Sequence, residues 1–246
     1  MKNLANLTVK IFADGANLDG IKEMYRNPLI KGFTTNPTLM RLAGIANYKS
    51  FADDVLRVVT DRPVSFEVFA DDLSEMEAQA QEIASWGDNV YVKIPVTNTK
   101  GVFCGPIVQR LSARGVKLNV TAVFTLQQVR GIAEALSPEA PAIVSVFAGR
   151  IADSGIDPVP LMTKAADLLR STRPQSELLW ASPRELLNIL QADECGCGII
   201  TVTNDVLKKL ALIGKDQDEY SLETVKMFYN DAKAAGYTIA IPAAVH

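Results

Sequence analysis

Short apolar runs rich in β-branched residues alternate with amphipathic stretches along almost the whole chain. The runs fall at 8–14 (TVKIFAD), 30–35 (IKGFTT), 64–69 (VSFEVF), 90–95 (VYVKIP), 116–122 (VKLNVTA), 142–147 (AIVSVF), 176–181 (SELLWA) and 198–202 (GIITV), and each predicts a strand. Helical patterning follows each run, at 17–25, 47–59, 73–85, 101–113, 125–135, 157–171, 183–191 and 203–210, with one more amphipathic stretch at 219–235. Eight βα units in 246 residues predict an α/β fold, a single (β/α)8 (TIM) barrel domain over 1–246 with an additional C-terminal helix. The competing arrangement is an open doubly wound sheet. Against it, no G-x-G-x-x-G turn follows the first run, and no G-x-x-x-x-G-K-S/T loop occurs anywhere.

Parallel strands covered by helices have no wet face to explain a polar residue within a run. Yet polar residues recur in or just after successive runs. They are Asp14; Thr34, Thr35 and Asn36; Glu67; Lys93; Asn119 and Thr121; Ser145; Arg150; and Ser182 with Arg184. Each taken singly has a structural explanation. Asp14 or Asn36 can cap a helix, the latter ahead of Pro37, and Glu67 with Lys93 can be an ion pair inside the barrel. Burying either charge alone is expensive. Their recurrence at strand ends, where barrel enzymes hold their active sites, points to a lined pocket.

Composition narrows the chemistry. A net charge of −3 gives no general attraction to nucleic acid or anionic membrane, and no apolar stretch is long enough to cross a bilayer. MKNLANLTVKIFADGAN lacks the apolar core of a secretory signal. Cys104, Cys195 and Cys197 form neither a disulfide framework nor a metal-binding pattern, so a cytoplasmic location is expected. The sole histidine is His246. That disfavours histidine-dependent nucleophiles and zinc sites; no metal and no cofactor are expected. Acid–base work falls to Asp, Glu, Lys or Tyr.

A lysine amine in a polar pocket attacks a carbonyl and forms a Schiff base once its neutral form is populated. Lys93 in VYVKIP is the candidate, with Glu67 and Asp14 to move protons in aldol chemistry. WASPRELLNI adds a second element. Ser182, Pro183 and Glu185 read as a capping box with proline at the first helical position. Such a helix N-terminus, with free amides, Arg184 and the nearby Arg150, suits a phosphate. The alternative for either arginine is a surface salt bridge.

FADGAN, GFTTNPTLM, FEVFA, VYVKIPVT, LNVTAVFT, VSVFAGRI and WASPRE, in this order, resemble the strand motifs of the transaldolase family. The resemblance runs from about residue 9 to 235 and is to the small subfamily that includes fructose-6-phosphate aldolase. It implies a (β/α)8 barrel in which Lys93 forms the Schiff base. It further implies that Asp14 works on the C4 hydroxyl, and that Glu67 and Thr121 hold and activate a water. By the same resemblance Asn36 and Asn119 bind the dihydroxyacetone hydroxyls, Thr34 lines the pocket and Ser145 helps hold that unit. Arg150, Ser182 and Arg184 then cradle the sugar phosphate.

Glutamate in the third strand and phenylalanine in the S-x-F-x-G-R motif resemble transaldolases, whereas the fructose-6-phosphate aldolases carry glutamine and tyrosine there. Glu67 and Phe147 therefore favour transfer of a dihydroxyacetone unit from fructose 6-phosphate or sedoheptulose 7-phosphate to an aldose phosphate, in the pentose phosphate pathway. Two alternatives stay open, an aldolase for fructose 6-phosphate or a specialised sugar, and a non-catalytic sugar-phosphate binding protein. Pro183, Trp180 and the polar TVTND segment depart from the family pattern; Trp180 is bulky for a place so near the pocket unless it points outward into the helix layer. Small members assemble into rings through the C-terminal helix, so SLETVKMFYNDAKAAGY (221–237) implies a homo-oligomer unless that helix closes its own barrel.

Overall fold

The structure, a computed structural model, describes residues 6–240. Eight parallel strands close into a barrel in sequence order: β1 (Lys10–Asp14), β2 (Ile30–Thr34), β3 (Val64–Glu67), β4 (Val90–Pro95), β5 (Leu118–Val123), β6 (Ala142–Val146), β7 (Ser176–Trp180) and β8 (Ile199–Val202), which pairs back onto β1. Each lies within two residues of its predicted bounds. The predicted helices α1 (Leu18–Tyr25), α3 (Tyr48–Val58), α4 (Leu73–Ala84), α5 (Gly105–Ala113), α6 (Leu126–Ala135), α8 (Val159–Thr172), α9 (Leu187–Glu194) and α10 (Asn204–Leu207) are present, and α11 (Gln217–Ala234) follows the barrel.

Two helices fall outside the predicted stretches: α2 (Pro37–Leu42), of which only the Asn36–Pro37 start reads as a possible cap, and α7 (Ala148–Asp153). Each has six residues, too few for an amphipathic stripe to register. α10 is a single turn that continues as a 3-10 helix over Lys208–Leu212.

The expected helix start at Ser182 is overturned. α9 begins at Leu187, and Ser182 takes a left-handed φ of 57° instead of the extended backbone of an N-cap. The physical reason lies in the side chain of Asn188. Its Oδ1 accepts the N–H groups of Arg184 at 2.7 Å and Glu185 at 3.1 Å, holding 183–186 as a turn.

Strand alternation divides the side chains. Outward residues such as Phe33, Phe66, Val92, Val120, Val144 and Ile200 pack against the helices in one continuous core. Trp180 belongs to this outer core and is fully buried, so its bulk lies outside the pocket. Inward residues Phe12, Ile143, Leu179 and Ile199 form a separate apolar plug inside the barrel. Gly32 leaves the axis to Phe12, since a Cβ there would fall 2.5 Å from the ring. Above the plug the inward positions turn polar: Thr34, Lys93, Ser145 and Thr201, then Asp14, Glu67 and Thr121.

At the open end β7 runs into the loop at Ser182, which rests on α7. A Cβ on Gly149 would lie 1.5 Å from the Ser182 carbonyl oxygen, so only glycine permits this approach. Gly149→Ala should therefore destabilise the protein by about 1–3 kcal/mol. Thermal unfolding should register this as a loss of roughly 2–4 °C per kcal/mol, and an unchanged Tm would refute the close contact.

Candidate active site

The carboxyl ends of the strands surround a cavity of about 390 Å3, within the range of small-ligand sites. Lys93 rises from β4 at its floor and is only 7 % exposed. Its Nζ lies 3.1 Å from Glu67 Oε2 and donates to the Thr35 carbonyl oxygen at 2.8 Å. Register explains the pairing, because Glu67 is directly opposite Lys93 on neighbouring strands. Both charges are thereby compensated at a depth where either alone would be costly.

Asp14 stands at the end of β1 on the cavity wall. The Thr34 hydroxyl donates to its Oδ1 at 2.8 Å, and Thr34 in turn accepts from Thr201 on β8. Asn36 Nδ2 reaches Asp14 Oδ2 at 3.5 Å, while Asn36 Oδ1 caps α2 by accepting the Leu39 N–H at 2.9 Å. Asn36 thus performs the capping expected of an Asn-Pro start and also faces the site. Burial pushes the Asp14 carboxyl above its ordinary 3.8, against the opposing pull of Lys93, Thr34 and Asn36. The neighbouring Glu67 charge adds to the rise.

A buried chain of hydrogen bonds backs the far side. Ser145 Oγ donates to Asn119 Oδ1 at 2.6 Å, and Asn119 Nδ2 donates to Ser65 Oγ at 3.0 Å. Beside it, the β5–β6 register shifts between Val120 and Val123, and Ala122 adopts a φ of 58°. This bulge turns both Thr121 and Ala122 toward the cavity and returns Val123 to the outer core.

The rim carries the charge. Phe147 packs on Phe124 at 5.7 Å between centroids, and the Arg150 guanidinium sits 5.0 Å above the Phe147 ring. Phe147, Arg150 and Ser182 line the cavity; Arg184 does not. Arg184 instead makes a forked pair with Asp153 of α7, with Nε contacts of 2.9 and 3.1 Å, and holds the Asp153 carboxyl below its ordinary range. The expected cradle of free amides and two arginines is therefore altered, because Asn188 takes the amides and Asp153 takes Arg184.

All the other anticipated residues meet in one cavity: Asp14, Thr34, Asn36, Glu67, Lys93, Asn119, Thr121, Ser145, Phe147, Arg150 and Ser182. Thr201, noted only as part of the polar TVTND segment, Ser65 and the Thr35 carbonyl were not among the anticipated site groups. Parity was the available signal for two of them, since Ser65 shares the inward phase of Glu67 and Thr201 that of Ile199. Among the described residues, no group of three or more His, Cys, Asp or Glu side chains converges as a metal site.

A closed (β/α)8 barrel with a buried lysine–carboxylate pair at the carboxyl ends of its strands defines the class, that of barrel proteins whose polar centre is an amine. Comparison with known proteins sharpens it. The transaldolase/fructose-6-phosphate aldolase family pattern matches residues 11–240. A probable transaldolase of Dehalococcoides mccartyi is 37% identical over 202 residues, covering 82% of this chain and 90% of the relative. Probable transaldolases of Methanococcus maripaludis (strain C7) and Syntrophobacter fumaroxidans are each 34% identical, covering 82% of this chain and 89% of their own. The chain belongs to the transaldolase/fructose-6-phosphate aldolase family.

The raised Asp14 pKa has a thermodynamic consequence. The folded state holds this proton more tightly than the unfolded chain, so stability present below the ordinary 3.8 is lost as pH rises through the folded value. Asp14→Asn removes the charge that burial penalises. Its Tm should exceed that of the wild type at pH 7 and converge on it as pH falls below 4. A constant Tm difference across that range would contradict the burial argument.

Proposed function

We propose that the protein is a transaldolase acting through a Schiff base on Lys93. The observation that carries the reading is the buried Lys93 amine, paired at 3.1 Å with Glu67 and sharing one cavity with Asp14. Glu67 takes the ammonium proton, and the amine adds to the C2 carbonyl of a ketose phosphate. Loss of water leaves a protonated imine. Asp14 accepts the C4 hydroxyl proton as the C3–C4 bond breaks, and its electron pair moves through C3 toward the imine nitrogen, giving an enamine. The aldose departs. The enamine then adds to an acceptor aldehyde, Asp14 returns its proton, and a water held by Glu67 and Thr121 hydrolyses the new imine.

A raised Asp14 pKa suits a group that must both accept and return a proton near neutral pH. Asn36, Asn119 and Ser145 hold the dihydroxyacetone hydroxyls, Thr34 orients Asp14, and Arg150 with Ser182 meets the phosphate. Phe147 offers a ring and no hydroxyl, which favours transfer to an acceptor over release of free dihydroxyacetone. The engagement of Arg184 by Asp153 favours a second reading, an aldolase for a specialised sugar with a reduced phosphate demand. Fructose 6-phosphate or sedoheptulose 7-phosphate as donor, a place in the pentose phosphate pathway and a cytoplasmic location belong to the main proposal. Three buried free thiols are compatible with that location.

Glyceraldehyde 3-phosphate release from fructose 6-phosphate should require erythrose 4-phosphate. Equal release without the acceptor would make the protein an aldolase. Borohydride reduction in the presence of the ketose should add mass to the Lys93 peptide, and Lys93→Met should lower kcat by at least about 10^3-fold. A Lys93 that is never labelled while the ketose binds would leave a non-catalytic binding protein.

We further propose a homo-oligomer built through α11. This helix buries no residue of its own, and Leu222, Val225, Met227, Phe228 and Tyr229 are all exposed, Phe228 by 63%. Light scattering should give a mass that is a multiple of 26.7 kDa, and Phe228→Glu should reduce it; a monomeric wild type would refute the proposal.

A further inference from the structure

β3 loses its neighbour where Glu67 sits. The β2–β3 register pairs Thr34 with Ser65 and goes no further, because the chain turns from β2 into α2. Thr35 adds one last bond by donating its N–H to the Ser65 carbonyl. Backbone groups of residues 64 and 68 face β4, where they bond to Asn89 and Lys93. Those of Glu67 face the opposite side, toward the missing strand. A backbone pair left open there would be both unsatisfied and free to move.

Tyr48, the first residue of α3, fills that place. Its hydroxyl accepts the Glu67 N–H at 2.7 Å and donates to the Glu67 carbonyl at 3.1 Å. One phenol thus supplies both halves of the absent ladder. The ring is held by Phe69 at 4.6 Å, Trp86 at 5.4 Å and Phe66 at 6.1 Å between centroids. Thr35, whose carbonyl is the second partner of Lys93, is tied to the same strand through its hydroxyl on the Ser65 carbonyl at 2.9 Å.

We propose that Tyr48 is a positioning residue, whose hydroxyl fixes the Glu67 backbone so that the carboxylate stays within reach of Lys93. The proposal rests on the reading of Glu67 and Lys93 as the working pair. Tyr48→Phe keeps the ring and removes the hydroxyl. Phe69→Leu loosens the packing of the ring and keeps the hydroxyl. In the coupled fructose 6-phosphate and erythrose 4-phosphate assay, Tyr48→Phe should lower kcat about tenfold with KM changed less than about twofold. Phe69→Leu should keep kcat within about twofold even where its Tm falls as far. Unchanged kcat in Tyr48→Phe, or losses that follow Tm alike in both variants, would overturn the proposal.

A second readout needs no sugar. Lys93 no longer held against Glu67 should meet formaldehyde and cyanoborohydride more freely. Its reductive methylation in Tyr48→Phe should be several-fold faster than in the wild type, relative to the surface Lys164. Equal labelling would overturn the proposal. A wild type inactive on every sugar would refute the transaldolase reading, while the labelling would still decide the role of Tyr48. Should Tyr48→Phe fail to fold, amide exchange of the wild type decides. The Glu67 N–H must exchange as slowly as that of Val68 in the ladder, and free exchange would overturn the assignment.

Discussion

The structure turns on one largely buried lysine amine at the floor of the cavity. Lys93 is held by a carboxylate from the strand before it and a carbonyl from the end of the strand before that. Removing either partner would leave a buried charge without compensation, whereas apolar residues in place of the whole pair would be no less stable. Stability therefore gives no reason for the pair. Its presence requires polar neighbours on β1, β2, β5 and β6, and these in turn require the apolar plug of Phe12, Leu179, Ile143 and Ile199 beneath them. The pair instead fits the proposed chemistry: an amine at the end of a barrel, with one carboxylate beside it and a second carboxyl across the cavity.

The barrel distributes these tasks through register. Neighbouring strands place Glu67 against Lys93, Lys93 against Asn119 and Asp14 against Thr34. Where plain alternation would not serve, the backbone departs from it. The bulge in β5 sends two consecutive side chains into the cavity, and the left-handed Ser182 turns the chain over Gly149. Such conformations carry strain, and both lie at the cavity edge, where rigid surroundings can hold them. Asn36 shows the same economy of parts, since one amide oxygen starts α2 while its nitrogen faces Asp14.

The strands and the cavity were legible because both follow a period of two. A run such as VYVKIP declares its strand through its apolar residues and its inward phase through Lys93, and the place of Lys93 in the cavity lining agrees with that phase. Ser65 and Thr201 carried the same signal, yet small polar residues inside apolar runs stand out far less than a lysine. Too short to show a stripe, α2 announced only its Asn36–Pro37 start and α7 nothing. The WASPR turn misled for a different reason. Its Ser-Pro-x-Glu spacing satisfies the capping rule, but Asn188, a later residue, takes the amides first. Local rules cannot anticipate a competitor that tertiary packing brings in.

That turn also divides the rim into a fixed part and an exchangeable one. Ser182 is pinned on Gly149, and Arg150 is held over Phe147. Arg184 and Asp153, by contrast, form an exposed pair, and exposed pairs add little net stability. On the proposed reading, a phosphate arriving beside Arg150 would compete for the Arg184 guanidinium against a single screened carboxylate, and the more concentrated charge of the dianion would favour it. The amides of Arg184 and Glu185 offer no such exchange, since releasing them would open the turn that Asn188 closes. If the substrates are the proposed sugar phosphates, discrimination at this end of the cavity rests on side-chain cations, with backbone amides withheld. A substrate lacking the phosphate would leave the Arg184–Asp153 pair intact and find a rim already neutralised.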